Sequence, residues 1–132
     1  MTTASATPKA MLWTGRVMSG LLVAFMLMDS IIKLILIQPV IDTMTQMGLP
    51  VVMARPIGAI ELAVTFLYAV PRTSVLGAVL LTAVFGGAIA SHWRLDSPLF
   101  SHTLFGLYLG LMVWGGLWLR DRSLRSQIPF RR

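Results

Sequence analysis

Asp29, Lys33, Glu61, His92 and His102 stand in or beside the apolar stretches of this chain, and their types could do proton chemistry. Asp29 and Lys33 lie four residues apart in GLLVAFMLMDSIIKLILIQP (Gly20–Pro39), so one helix face carries both. Glu61 adds a second acid, and its spacing with Gly58, Thr65 and Tyr68 puts all four on one helix face. Two acids, one base and nearby imidazoles can exchange protons with a bound ligand by general acid–base chemistry. Asp29, Lys33, Glu61 and His92 are the candidates for that work, and Tyr68 and His102 are weaker ones. The plainer readings are structural. Asp29–Lys33 is then a self-neutralising pair, Glu61 locks its helix to Lys33, His92 sits at an interface beside Trp93 and Arg94, and His102 belongs to a helix cap. Asp, Glu and His are also metal ligands, but no dense spacing such as H-x-x-x-H occurs, and no metal site is expected. Glycine-rich phosphate loops, nucleophile elbows and dinucleotide fingerprints are absent from the sequence.

The elements that must position these residues are membrane spans. The chain has 132 residues, 56% hydrophobic and 12% charged, with a mean hydropathy of +0.78. A soluble domain of this length carries more charge, and long charge-poor runs read as spans. A charge inside such a run is costly unless it is paired, wetted or used. Four spans are expected, at about 12–37, 51–70, 74–92 and 102–119, giving an all-α integral membrane four-helix bundle over 11–120. Residues 1–10 are small and polar and read as disordered, and 121–132 as a basic tail. The run to Pro39 is too long for a cleaved signal peptide. Trp13 is a candidate interface anchor. Gln38–Pro50 breaks the hydrophobicity, with Val40, Ile41, Met44 and Met47 on one helical face. A short connector helix in the interface fits this pattern, and a lid over a pocket is the alternative.

Four spans put both termini and the Pro71–Thr73 turn on one side. That side collects Lys9, Arg16, Arg72, Arg120, Arg122, Arg125, Arg131 and Arg132, against Lys33, Arg55 and Arg94 on the other. Both termini are therefore expected in the cytoplasm and the protein in the cell (inner) membrane. The same asymmetry accounts for the net charge of +6 without nucleic acid. The topology also gathers Asp29, Lys33, Glu61, His92 and His102 toward the outer leaflet, with Lys33 near both acids and His92 at the rim of one ionisable pocket. Ala83/Gly87, Gly86/Ala90 and Gly106/Gly110 are small-xxx-small pairs, which predict close packing of spans three and four. The absence of cysteine excludes disulfides, cysteine-ligated clusters and thiol redox chemistry by this chain itself.

Several stretches resemble the DoxX-like family of small four-helix membrane proteins. They are Asp29-Ser-Ile-Ile-Lys33, Gly58-Ala-Ile-Glu61-Leu, PRTSVLGAVLLTAVFGGAIASHWR from Pro71 to Arg94, and WGGLWLRD from Trp114 to Asp121. The resemblance covers nearly the whole chain. The wider family has a Lys ending helix one, a Glu in helix two and a His ending helix three, matched here by Lys33, Glu61 and His92. Asp29 belongs more to the DoxX-like subgroup. The resemblance implies links to a membrane thiosulfate:quinone oxidoreductase and to redox complexes that handle thiol stress, and a thiol relay would need a partner here. Three functions follow as expectations. The first is a membrane subunit of a redox complex, with quinone as the candidate cofactor. The second is a non-enzymatic small-molecule carrier or membrane-protein assembly factor. The third is an enzyme acting on a lipophilic substrate through Glu61 and His92. Candidate partners are the lipid bilayer, a membrane redox complex or other membrane protein, and a second copy of the chain.

Overall fold

The computed structural model of the chain describes residues 7–131. Helices run in the order α1 (Lys9–Ile35), α2 (Gln38–Gln46), α3 (Ala54–Ala69), α4 (Ser74–Arg94), α5 (Phe105–Arg120) and α6 (Arg122–Arg125). A 3-10 turn over Val51–Met53 runs into α3, another over Pro71–Thr73 runs into α4, and a π turn over Leu99–Thr103 precedes α5. Counting these turns, four segments are long and apolar enough to span: Lys9–Ile35, Val51–Ala69, Pro71–Arg94 and Leu99–Arg120. At 1.5 Å per residue, even the shortest covers about 28 Å, close to a hydrocarbon core. No strand occurs among the described residues. Residues 1–6, most of the expected disordered N-terminus, lie outside the described residues, and α1 already begins at Lys9.

The protein is a multi-pass membrane protein built as a four-helix bundle. Both α1 and α4 pack against α3 and α5, so α1 and α4 lie across a diagonal. The core joins Leu22 and Met26 of α1, Val64 and Tyr68 of α3, Leu81 and Phe85 of α4, and Val113 and Leu117 of α5. Outward faces are apolar as well: Leu21 and Ile31, Ile60 and Phe66, Leu76 and Val79, Leu107 and Leu111 are all exposed. A surface this apolar suits lipid rather than water.

Of the glycines expected at close approaches only some serve, and Gly77 adds one that was not expected. A Cβ at Gly77 would collide with the backbone of Tyr68, so α3 and α4 meet tightly just after their short turn. There Ser74 Oγ donates to the Tyr68 carbonyl at 2.8 Å and Thr73 Oγ1 to that of Leu67 at 2.7 Å. Both satisfy carbonyls left open at the end of α3. Gly106 does approach α4, with its Cβ position 2.9 Å from the Phe85 carbonyl. The Ala83/Gly87 and Gly86/Ala90 pairs do not mediate packing. All four residues are exposed, and nothing lies within 4 Å of a Cβ at Gly86 or Gly87. Leu81 and Phe85 take the inward face of α4 instead, and the small residues fall on the opposite side.

Arginine side chains close the helix ends. Arg55 donates to the Leu34 carbonyl at 3.1 Å and Arg94 to that of Met47 at 3.1 Å. Arg125 donates to the carbonyls of Trp118 and Leu119, both at 2.9 Å. Cations near helix C-termini complement both the open carbonyls and the helix dipole. α2 is a short helix at the far end of the bundle, with Val40 and Met44 buried against Ala54. Gly48 adopts φ +69° just past it, the left-handed turn that glycine accommodates without strain.

Candidate proton-exchange site

Asp29, Ser30 and Lys33 lie on the last two turns of α1, and Glu61 near the middle of the Val51–Ala69 segment. Gly58 sets how closely these helices approach. A Cβ there would stand 2.9 Å from both the Ser30 carbonyl and Lys33 Cβ. With only hydrogen at that point, α3 lies against α1, and Glu61 comes level with Lys33. Ser30 keeps its hydroxyl out of the way by donating to the Met26 carbonyl at 2.6 Å.

Lys33 bridges the two acids. Its Nζ donates to Asp29 Oδ2 at 2.5 Å and to Glu61 Oε1 at 2.7 Å. Glu61 is buried at 5% relative exposure, whereas the Asp29 and Lys33 side chains keep 26% and 22%. The site thus opens on the side of Asp29 and closes at Glu61. An ammonium has three N–H donors, so Lys33 retains one beyond these two bonds. Glu61 Oε2 has no hydrogen-bond partner, and neither does Thr65 Oγ1 one turn further along α3. With two carboxyl groups on one ammonium, the triad has one acid more than its base can neutralise. It can therefore offer a hydrogen bond from Lys33 and hold or release a proton on a carboxyl group.

The remaining candidates lie elsewhere. His92 Nδ1 is 3.2 Å from Ser97 Oγ, and His102 Nδ1 is 2.7 Å from Ser101 Oγ. Their ring centroids are 6.0 Å apart in an edge-to-face arrangement. The structure therefore joins the two histidines to each other where α4 ends and the turn before α5 begins. No hydrogen bond or ion pair links them to the triad among the described residues. Tyr68 faces the opposite end of the bundle. Its hydroxyl donates to the Val113 carbonyl at 2.7 Å and shares a 2.8 Å bond with Ser19 Oγ. Arg120 Nε donates to Ser19 Oγ at 3.2 Å, and its guanidinium lies 5.6 Å from the Tyr68 ring centroid.

A cavity of about 600 Å³ lies at the terminal end, between Trp114, Trp118 and Leu119 of α5 and Leu124, Ile128 and Pro129 of the tail, remote from the triad. The tail folds back to form its wall, with the Trp118 indole N–H donating to the Ile128 carbonyl at 2.9 Å. Ser19 and Arg120 escaped the sequence reasoning. The available signal was a hydroxyl inside an otherwise apolar span, in antiparallel register with the Tyr68 end of α3.

No curated protein and no solved structure matches the chain. A family model described as DoxX-like family matches residues 17–116 of the 132, from early in α1 to late in α5. The chain belongs to the DoxX-like family.

Proposed function

We propose that this protein is a membrane subunit of a redox complex, in which the Asp29–Lys33–Glu61 triad exchanges protons with a quinone-type ligand. The observation that carries the reading is a buried carboxylate bound through one oxygen to Lys33, with its second oxygen unpartnered. A quinone carbonyl needs a hydrogen-bond donor when it is bound and protons when it is reduced. Lys33 has the spare donor, and the surplus acid of the triad has the proton site. The ligand reaches the triad from the outer half of the bundle, where Asp29 and Lys33 are partly exposed. Phe25 and Ile32, each about one turn from Asp29 on α1 and half-buried, suit a lipophilic ring. Electrons come from a partner, because a cysteine-free chain has no thiol to relay them. The redox links implied by the family resemblance support this assignment. The basic asymmetry supports cytoplasmic termini and an inner-membrane location as part of this reading.

The test is titration of a short-chain quinone into the protein in nanodiscs, read by quenching of its tryptophans. Saturable binding, lost in a Lys33→Met variant that remains folded and kept in Glu61→Gln, is expected. Unchanged binding in Lys33→Met would remove the triad from the ligand site.

A second reading, an assembly or interaction module, draws on a different observation. The face of α4 bearing Ala83, Gly86, Gly87 and Ala90 is exposed and free of intramolecular contact at its glycines. Small residues in such a row let a partner's helix approach closely. Stoichiometric co-purification with one membrane protein, lost on Gly87→Leu, would favour this reading.

A further inference from the structure

The end of α5 and the tail after it bring two chemistries together. Trp114, Trp118, Leu119, Leu124 and Ile128 supply apolar surface. Arg120, Arg122, Arg125 and Arg131 supply positive charge, against one acid, Asp121. That acid is already committed, since it accepts from the Leu124 N–H at the start of α6. The cavity of about 600 Å³ lies where the two chemistries meet, and its volume falls among small-molecule sites, at about 300–1,000 Å³.

The side chains around this cavity present hydrocarbon and no free hydrogen-bonding group. None of them is polar except the two indoles, and both indole N–H groups are used elsewhere. Trp114 Nε1 donates to Thr82 Oγ1 at 2.7 Å, and Trp118 Nε1 to the Ile128 carbonyl at 2.9 Å. A polar ring or headgroup seated here would leave its own polar atoms unpaired, so the fitting occupant is hydrocarbon. The cavity also continues the lipid face of α5. Leu107, Leu111, Trp114 and Trp118 follow one another at helical spacing, and Leu107 and Leu111 are exposed. From Leu107 to Trp118 the helix rises about 16.5 Å at 1.5 Å per residue. One leaflet of a hydrocarbon core about 30 Å thick is about as deep.

The rim carries the charge. The Arg125 guanidinium stands 5.9 Å from the Trp118 ring centroid. It donates to the carbonyls of Trp118 and Leu119 and to Thr7 Oγ1, which leaves part of its donor fork free. Arg122, three residues earlier on the same face of α6, is exposed and forms no ion pair among the described residues. Guanidinium groups bind phosphate oxygens through charge-assisted, often bidentate hydrogen bonds. A zwitterionic lipid would bring a cation of its own to this rim, so the arginines favour an anionic headgroup.

We propose that the cavity is a binding site for an anionic phospholipid from the leaflet on the side of the termini. One acyl chain fills the space between Trp114, Trp118 and Ile128 and continues along Leu111 and Leu107, and the phosphate meets Arg122 and Arg125. Because the tail forms one wall, bound lipid also holds the tail against α5. The site is separate from the Asp29–Lys33–Glu61 triad and independent of the function proposed for it.

Lipids brominated on their acyl chains test it, because bromine quenches the tryptophans it touches. In a Trp13→Phe/Trp93→Phe background, Trp114 and Trp118 are the remaining reporters. The protein is placed in phosphatidylcholine vesicles that contain increasing fractions of brominated phosphatidylglycerol or of brominated phosphatidylcholine. The anionic lipid is expected to reach half its quenching at a mole fraction about tenfold lower than the zwitterionic one. Arg122→Gln should weaken that preference about fivefold, the contribution of one arginine beside an anionic headgroup. The charge-matched Arg94→Gln, at the other end of the bundle, should leave it unchanged. Gly115→Leu, whose Cβ meets only the end of the Met18 side chain, should fill the cavity and remove the preference although every arginine is kept. Equal quenching by both lipids, or none by either because residues 1–6 or a second copy fill the cavity, would overturn the proposal. So would an unchanged preference in folded Arg122→Gln, and a preference that survives in folded Gly115→Leu would assign it to surface charge alone and overturn the site.

Discussion

Removing the base of the triad should cost more than removing either acid. In Lys33→Met, two carboxyl groups lose the ammonium that Asp29 meets at 2.5 Å and Glu61 at 2.7 Å. Glu61 is 5% exposed, so water cannot replace the lost partner. Breaking a buried pair and leaving a charge behind costs about 3–5 kcal/mol. Glu61→Gln is milder. Its amide oxygen still accepts from Lys33, and Lys33 keeps Asp29 as counter-charge. The loss is the difference between a charged and a neutral hydrogen bond, about 1–1.5 kcal/mol. Asp29→Asn should cost less again, because Asp29 is the more exposed acid. Thermal unfolding in one detergent, followed by the fluorescence of the four tryptophans, ranks the three variants. Equal melting of Lys33→Met and Glu61→Gln at neutral pH would refute this reasoning, and would mean that the charges reach water at the interface.

Helix packing gives a second contrast. Gly58→Leu should lower yield and melting temperature sharply, because even its Cβ stands 2.9 Å from the Ser30 carbonyl, and overpacking costs about 1–3 kcal/mol or more. Gly87→Leu should leave the stability of the isolated protein nearly unchanged, since nothing lies within 4 Å of its Cβ position, and equal damage from the two would contradict the helix arrangement. For topology, single cysteines at Thr45 and Ser97 should react with an impermeant thiol reagent in intact cells, and one at Ser126 should not. The reverse pattern would invert the orientation.

Helices and their order were legible because apolar runs of span length, broken by Pro39, Pro71 and Pro98, leave little choice in a bilayer. The shared face of Gly58, Glu61, Thr65 and Tyr68 was legible from spacing, and all four residues are buried. Lys33 between Asp29 and Glu61 followed from antiparallel pairing of two spans. What spacing does not give is which side of a helix faces inward when every side is apolar. Span three illustrates this: its small residues predicted packing, yet Leu81 and Phe85 turned inward and left Gly86 and Gly87 outside. The diagonal placement of α1 and α4 was equally out of reach. Residues 121–132 read only as a basic tail. In the structure Asp121 accepts from the Leu124 N–H at 3.2 Å, Leu124 is buried, and Arg125 caps α5. Those contacts depend on where the tail meets the bundle, which composition does not reveal.

Proton exchange at Glu61 is the centre of this account, and infrared difference spectroscopy measures it directly. The protein, in membranes with added short-chain quinone, is compared before and after electrochemical reduction of that quinone, in the carboxyl stretching region. A difference band that shifts in heavy water and is missing from a folded, quinone-binding Glu61→Gln variant is the predicted result. No carboxyl band in the wild type, or the same band in Glu61→Gln, would contradict the assignment of Glu61 as the proton-exchanging group.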